Sequence, residues 1–385
     1  MNACIVTYEF PPEVTSGFSR TAYNLVDYLS NENNKVTVVT SSEKRDTLIV
    51  NKNLTIIYLP RIKNLSQRVK RLFFLKELDK FFNSYNPGRF DIIHFLDAHE
   101  SYCINNKFKK TRVIISVNEY YSFIGFFGIL KYPCSFLEKS LRLFYHPYLK
   151  YLNKKYLPQA DMVVCNSRYL KGIVQKGAGI EKNKLRLVYK GIDTSLFRPG
   201  RITGKYNSKK ILFVGNNLKR KGLIYLLRAL KNLKNMHPSV QLIIVSKEAG
   251  KKITDYIKKN NLNRVLVLTN CGEKKLVRLY QEANVFLMPS VLENIAQTLM
   301  EALATATPVI CTDVGSNKEL VNNEVGILIR PKKSCDIARA VNFIFKDALK
   351  AKKLGFRGRK MIMDKFNKKN MSKSYYEIYK ECLKK

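Results

Sequence analysis

Short apolar runs alternate with amphipathic helical patterns along most of this chain. Runs such as Ala3–Thr7, Lys35–Thr40 and Arg112–Val117 have the length and composition of buried strands. The segment Phe18–Ser30 instead spaces its apolar residues three and four positions apart, which indicates a helix. Because strands that alternate with helices form parallel sheets covered by helices, the pattern predicts an α/β fold.

The same alternation predicts two groups of strands. The predicted strands are Leu54–Leu59, Phe90–Phe95, Ala160–Asn166 and Leu185–Tyr189 in the first half, and Lys210–Val214, Val240–Ser246, Arg264–Thr269, Ala283–Met288, Pro308–Cys311 and Val325–Ile329 in the second. The polar segment Phe197–Lys210 contains Pro and Gly and has no periodicity, so it is the predicted linker. We therefore expect two tandem doubly wound Rossmann-like domains that face each other across a cleft. Their predicted bounds are 1–200 and 201–365, and a C-terminal helix, 366–385, is expected to cross back to the first domain.

Composition excludes several classes of protein. With 385 residues, 45% of them hydrophobic and 11% aromatic, the chain is long and apolar enough for two globular cores. Its eight cysteines and four histidines form no metal-binding spacing, so no metal is expected. The chain opens on a strand pattern, and its longest apolar run, Tyr120–Leu130, is shorter than the roughly 20 residues of a membrane helix. These features predict a cytoplasmic protein.

The net charge of +39 is large, and both halves of the chain are basic. A Lys-rich genome composition, attraction to an anionic membrane surface and nucleic-acid binding would each produce such a charge. The segments Arg61–Phe82 and Tyr120–Tyr156 mix basic and aromatic residues, as in helices that lie on anionic lipid, although amphipathic core helices have the same pattern. No nucleic-acid motif is present, so the first two explanations remain.

The segment Pro289–Glu301 has the pattern of an anion site between two carboxylates. It follows a predicted strand and enters a predicted helix, Gln297–Leu303. Backbone N–H groups that begin a helix attract phosphate. Here those groups belong to Asn294, Ile295, Ala296 and Gln297. The carboxylates of Glu293 and Glu301 suit hydroxyl groups on either side of the phosphate, and a nucleotide sugar carries both kinds of group.

This segment resembles the donor-binding signature of retaining family 4 glycosyltransferases, which share the GT-B fold. The matching pattern is PS-x2-E-x7-E-AL-x4-PVI. The resemblance implies that Glu293 holds hydroxyls of the transferred sugar and that Glu301 holds the ribose of the nucleotide. It also implies a reaction without a bound metal or other cofactor.

Two further loops resemble phosphate-binding loops of that family. In Val214–Gly222, Lys221 stands at the lysine position of the diphosphate clamp, whereas Asn216 stands at the arginine position. Arg220 or its neighbour Lys219 would supply the missing charge, since charge-assisted bonds to phosphate are strong. Tyr8–Gly17 resembles the family's PP-x3-GG loop, in which Gly17 would let the backbone approach a phosphate closely.

The chain departs from the family pattern at positions near the transferred sugar. Asn118 follows a predicted strand where the family often has a histidine, and Asn294-Ile295-Ala296 replaces Gly-Phe-Gly. Asn can form hydrogen bonds but cannot accept a proton at pH 7. The candidate catalytic residues are therefore Glu293, Lys221 and Asn118, with sugar identity left open.

The sequence thus predicts a retaining, metal-independent glycosyltransferase. It would transfer a sugar from a nucleotide-diphosphate sugar to a hydroxyl of a glycan or lipid-linked acceptor, and it would also contact the inner face of the cell membrane. The alternatives are a related GT-B enzyme, such as a sugar-phosphate synthase or nucleotide-sugar epimerase, and a non-catalytic basic protein of the same fold that binds membranes peripherally.

Overall fold

The computed structural model describes residues 1–12, 17–43, 47–62, 67–119, 123, 136–201, 204–248 and 250–384. They divide into two compact units. Unit 1 takes in the described residues of Met1–Phe126, Leu141–Gly191 and Lys368–Lys385, and unit 2 those of Phe127–Ser140 and Ile192–Asn367.

Unit 1 contains an eight-stranded sheet in the order β3-β4-β2-β1-β5-β6-β7-β8. Its strands are β1 Asn2–Val6, β2 Lys35–Ser42, β3 Thr47–Asn51, β4 Leu54–Pro60, β5 Ile92–Phe95, β6 Arg112–Val117, β7 Met162–Cys165 and β8 Leu185–Leu187. The pairs are parallel apart from β3 with β4. The helices α1 Gly17–Asn31, α2 Gln67–Ser84, α3 Phe136–Tyr156, most of which belongs to this unit, and α4 Arg168–Ala178 connect these strands.

Unit 2 contains a six-stranded parallel sheet in the order β11-β10-β9-β12-β13-β14, which is the Rossmann strand order. Its strands are β9 Lys210–Val214, β10 Gln241–Val245, β11 Val265–Leu268, β12 Val285–Met288, β13 Val309–Thr312 and β14 Gly326–Ile329. Its helices are α5 Leu223–Met236, α6 Lys251–Lys259, α7 Glu273–Glu282, α8 Gln297–Ala304, α9 Asn317–Leu320, α10 Ser334–Lys346 and α11 Ala348–Lys365. The predicted Rossmann-like α/β architecture is confirmed.

The last helix, α12 Lys368–Leu383, completes the core of unit 1. Its residues Met371, Tyr375 and Tyr379 are buried in the same cluster as residues of β1 and α1. Tyr379 Oη lies 2.6 Å from Nδ1 of His94, a fully buried residue of β5, and the His94 Nε2 lies 2.8 Å from Ser116 Oγ. A buried polar network therefore joins the last helix to the sheet.

Three details differ from the sequence prediction. The antiparallel edge strand β3 was not predicted, because its apolar run is only three residues long, and Leu48 and Val50 are half exposed at the sheet margin. The units divide between Gly191 and Ile192, ahead of the expected linker Phe197–Lys210, since Phe197 is buried in unit 2 against Tyr280. The continuous helical pattern after Asp336 is three helices, and Asp347 separates the first two by capping α11.

Candidate functional site

The candidate site of unit 2 lies where the strand order of its parallel sheet reverses, between β9 and β12. Strands β9 and β12 are parallel neighbours at the centre of the sheet, although they are far apart in sequence. The loop Gly215–Gly222 follows β9, and the loop Pro289–Ala296 follows β12. Parallel neighbours end at the same edge, so the topology brings the two loops together at the switch point, where α/β proteins commonly bind ligands.

Glu293 lies between two cations contributed by the other loop. Its Oε2 is 2.5 Å from Nζ of Lys221, and its Oε1 is 3.0 Å from Nη1 of Arg220. Burial by itself would raise the pKa of Glu293, but the charges of Lys221 and Arg220 outweigh it and lower the pKa from 4.5 to about 2. The buried group is thus a carboxylate held by two cations, and Arg220 also donates to the carbonyl of Leu292 at 3.1 Å.

Two glycines allow the backbone to come this close. Gly222 has φ +71°, and a Cβ there would lie 2.0 Å from the carbonyl oxygen of Pro289. Gly315 has φ +56°, and a Cβ there would lie 1.8 Å from the carbonyl oxygen of Glu293. Both positions require a left-handed conformation and no side chain. The loops on either side of Glu293 are therefore fixed by backbone contacts.

The N-terminus of α8 opens beside this cluster. The helix runs from Gln297 to Ala304, and no side chain caps it at Ala296. Such a helix start offers N–H groups and partial positive charge to an anion. The N–H of Asn294, one of the groups expected to bind phosphate, instead donates to Oε1 of Glu293 at 3.3 Å. The side chains of Ile295 and Ala296 are buried, so these residues could offer a ligand only their backbone groups.

Glu301 lies inside α8 and is buried, with 4% of its surface exposed. The hydroxyl of Tyr280, on α7, donates to its Oε2 at 2.9 Å. Tyr280 is itself fully buried and packs on Phe286 of β12. The carboxylate of Glu301 is thus positioned by a neighbouring helix.

Asn216 makes bonds that tie two loops together. Its Oδ1 accepts from the N–H of Lys247 at 2.9 Å, just after β10. The next residue, Asn217, donates its N–H to Glu248 at 2.7 Å and accepts from the N–H of Arg220 at 3.2 Å. The side chain at the family's arginine position therefore supports the loop, while Arg220 supplies the charge near Glu293.

Gly17 and Asn118 belong to unit 1. Gly17 is the first residue of α1, and the preceding part of its predicted loop, 13–16, lies outside the described residues. The amide of Asn118 donates to the carbonyl of Leu96 at 2.6 Å and accepts from Asn166 at 3.1 Å. It joins the ends of β5, β6 and β7, and its role toward a sugar stays a prediction.

Several supporting residues had no assigned role in the sequence. Ser316 donates to Oδ1 of Asn294 at 3.0 Å, and Thr312 donates to the carbonyl of Ser290 at 2.6 Å. Thr312 is the last residue of β13, the strand next to β12, and Gly315 and Ser316 follow it. Only the adjacency of β13 and β12 reveals what these residues support. Within the described ranges, no cluster of His, Cys, Asp or Glu could hold a metal ion.

Comparisons with known proteins agree on one fold and one enzyme class. Residues 15–196 match the model for Glycosyltransferase Family 4, and residues 201–361 match that for Glycosyl transferases group 1. An uncharacterized glycosyltransferase of Methanocaldococcus jannaschii is 25% identical over 99% of this chain and 98% of its own length. The alpha-maltose-1-phosphate synthase of Mycolicibacterium smegmatis is 25% identical over 58% of this chain and 63% of its own.

Solved structures share the architecture at low sequence identity. A sucrose-phosphate synthase from Thermosynechococcus elongatus aligns with a TM-score of 0.81 and 20% identity over 99% of this chain and 98% of its own. The Anabaena HepE protein in complex with UDP-glucose aligns with a TM-score of 0.72 and 14% identity over 99% of this chain and 100% of its own. Since the two family matches together take in most of the chain, the chain belongs to the glycosyltransferases of the GT-B fold.

Proposed function

We propose that this chain is a retaining glycosyltransferase that uses a nucleotide-diphosphate sugar and needs no metal. The observation that carries the proposal is the buried Glu293 held by Lys221 and Arg220 beside the uncapped start of α8. Cations and a helix N-terminus suit a diphosphate, and a carboxylate suits sugar hydroxyls. A nucleotide sugar is the ligand class that needs both within one site.

The proposed chemistry is charge neutralisation of a leaving diphosphate. As the bond between the sugar and the diphosphate breaks, negative charge develops on the phosphate oxygen, where Lys221, Arg220 and the N–H groups of α8 would stabilise it. Glu293 would orient the sugar, and Glu301 would hold the ribose. Retention by departure and attack on the same face follows from the family resemblance, so no covalent nucleophile is named.

Donor binding would exchange partners within this cluster. Without a ligand, both oxygens of Glu293 are bound to cations. A diphosphate would attract the same two cations and leave part of the carboxylate available to sugar hydroxyls. We therefore infer that sugar and diphosphate are recognised together.

The acceptor would be a hydroxyl of a glycan or of a lipid-linked molecule, bound by unit 1. Contact of that unit with the inner face of the cell membrane remains part of the proposal, supported by the net charge of +39. In the part of the chain that the structure describes, no helix has the length and apolar character needed to span a bilayer.

The test is thermal unfolding with UDP, GDP and ADP, followed by a screen of donor-sugar hydrolysis. A ligand at 100 times its Kd should stabilise the protein by about 2.7 kcal/mol. UDP is the first candidate, because the structural relative HepE was solved with UDP-glucose. If no nucleoside diphosphate raises the melting temperature, the proposal fails. Binding without hydrolysis or transfer would favour a non-catalytic protein of this fold.

A further inference from the structure

A cavity of about 510 Å³ lies within unit 1, apart from the cluster around Glu293. One face of α3 lines it, and Arg71, Leu72 and Leu75 of α2 line it from another side. His99 and Glu119, which follow β5 and β6, line it near the carboxyl ends of these strands. Ligands of doubly wound sheets bind at that edge.

One part of the cavity is apolar and continues to the surface. Leu72, Leu75, Leu149 and Leu152 line it from the two helices. Leu72 is 50% exposed, and Tyr148, on the facing helix, is 52% exposed. Large apolar side chains exposed next to a cavity indicate that the apolar surface extends outward from it. The cavity thus has room for a chain that leads away from the protein.

Aromatic rings form a continuous wall. The rings of His99 and Tyr102 have centroids 5.7 Å apart, and those of Tyr102 and Tyr156 lie 5.5 Å apart. The hydroxyl of Tyr102 donates to Asn153 at 2.8 Å, which fixes the ring. This wall is ordered by its own contacts, so a ligand would meet a formed surface.

The cavity lining includes several hydrogen-bond donors. They are the guanidinium groups of Arg71 and Arg142 and the ring of His99, and Glu119, whose Oε1 lies 3.8 Å from His99 Nδ1, is the carboxylate among the described lining residues. Asp97 lies behind them, with Oδ1 2.7 Å from His99 Nδ1 and Oδ2 3.4 Å from Arg71. Burial lowers the pKa of His99, but the charge of Asp97 outweighs it, so the pKa lies above 6.5. Guanidinium and imidazole donors suit a group with several acceptor oxygens, such as a phosphate.

We propose that this cavity binds an amphiphilic anion, an apolar chain that carries a phosphate group. The phosphate would contact Arg142, Arg71 and His99, and the chain would lie along the leucines toward Leu72 and Tyr148. That this ligand is the acceptor rests on the proposed function. Binding itself depends on unit 1 alone.

The test is calorimetric titration of the full-length protein with octyl phosphate below its critical micelle concentration, in about 0.15 M salt to screen diffuse charge. Inorganic phosphate and octyl glucoside, titrated in parallel, carry the charge or the chain alone. Octyl phosphate should bind more tightly than either. Arg142→Gln should weaken its binding about tenfold or more, since bonds to charged groups are the strong ones.

Matched variants separate the two parts of the cavity. Leu72→Gln should weaken octyl phosphate binding about threefold or more, because apolar contact is lost. Arg89→Gln and Leu48→Gln make the same changes at exposed positions of unit 1 outside the cavity, and they should have no effect.

Several results would overturn the proposal. These are the absence of octyl phosphate binding, equal binding by all four variants, or equally tight binding of inorganic phosphate or octyl glucoside. UDP is titrated against the same preparations, and each variant is checked by its melting temperature. If UDP fails to bind while octyl phosphate binds as expected, the proposed donor site is wrong and the cavity assignment stands.

Discussion

Lys221 and Arg220 share one buried carboxylate, so each cation has a role in stability as well as in the proposed reaction. Removing one partner of a buried ion pair leaves the other less well compensated. Effects on activity at this site must therefore be separated from effects on folding.

Lys221→Met keeps most of the side-chain length and removes the charge. We expect kcat to fall by a factor of about 10²–10³, as when one stabilising contact to a developing anion is lost. The matched control is Lys219→Met, an exposed position in the same loop. Steady-state kinetics and melting temperatures are measured for both. Wild-type kcat/KM in Lys221→Met would contradict the assignment of the diphosphate contact.

The two glutamates should have separable effects. Glu301→Gln should weaken nucleoside diphosphate binding about tenfold, since a charge-assisted bond to the ribose is lost. Glu293→Gln should bind nucleoside diphosphate as tightly as the wild type or more tightly, because Lys221 and Arg220 are released, while kcat falls. Calorimetry and steady-state kinetics test both. Similar small effects in the two variants would mean that the pair is structural.

The spacing of Glu293, Glu301 and Lys221 within strand–loop–helix segments is specific enough to select them as candidates from the sequence, and their roles in binding and transfer stay predictions. The sequence did not select Gly315 and Tyr280. Their importance depends on which strand lies beside β12 and which helix packs on α8, and these neighbours are distant in sequence. The hydrogen bond from the N–H of Asn294 to the side chain of Glu293 instead depends on local backbone geometry, which the sequence does not show either.

At the scale of elements, the alternation of apolar runs predicted the strands well and their bounds less well. Buried central strands such as β6 and β9 match the predicted Arg112–Val117 and Lys210–Val214. The edge strand β3 has an apolar run of only three residues and is paired on one side, so its sequence pattern does not distinguish it from a loop. The division after Gly191 depends on the packing of Phe197, which composition cannot indicate.

The polar network under α12 should contribute measurably to stability. Tyr379→Phe removes the hydroxyl that lies 2.6 Å from Nδ1 of His94 and leaves that buried nitrogen without this bond. We expect the free energy of unfolding to fall by about 1–3 kcal/mol. Tyr376→Phe, at a half-buried position of the same helix, is the control. Urea unfolding that does not distinguish the two would argue against the network.

His94 should make stability depend on pH. Burial lowers its pKa from 6.5 to about 3 in the folded protein. Between these values the unfolded chain binds a proton that the native protein does not, so the free energy of unfolding rises with pH. This contribution is complete above about pH 6.5 and is lost as the pH falls toward 3. The free energy of unfolding is measured from about pH 4.5 to 7 for the wild type and for His94→Gln. It should rise less steeply with pH in the variant, and equal slopes would contradict the shifted pKa.

At the scale of the whole molecule, the net charge of +39 is the dominant property. Both the composition of the source genome and membrane contact remain explanations. The position of the basic residues distinguishes the two explanations. On a membrane-docking surface, the residues that contribute to binding lie together on one face of the protein. Helix α2 is a candidate face, since it exposes Val69 and Leu72 among its basic residues.

We expect the protein to sediment with anionic liposomes at low salt and to dissociate as ionic strength rises. Each Lys or Arg near such a surface contributes about 1 kcal/mol, screened over about 10 Å at 0.1 M salt. Replacing Lys70, Lys76 and Lys80 of α2 with Ser should release more protein than replacing Lys352, Lys353 and Lys384. Equal release by the two triple variants would mean that the charge acts diffusely.

The placement of α12 also determines the order in which the chain can fold during synthesis. Unit 1 requires Lys368–Leu383 for its core, whereas most of unit 2 is the continuous segment Ile192–Asn367. The sequence of unit 2 is therefore complete in the growing chain while unit 1, begun first, still lacks a helix. Until then the apolar faces of β1 and α1 stay uncovered. The first half of this chain is the part that would depend on chaperones during translation.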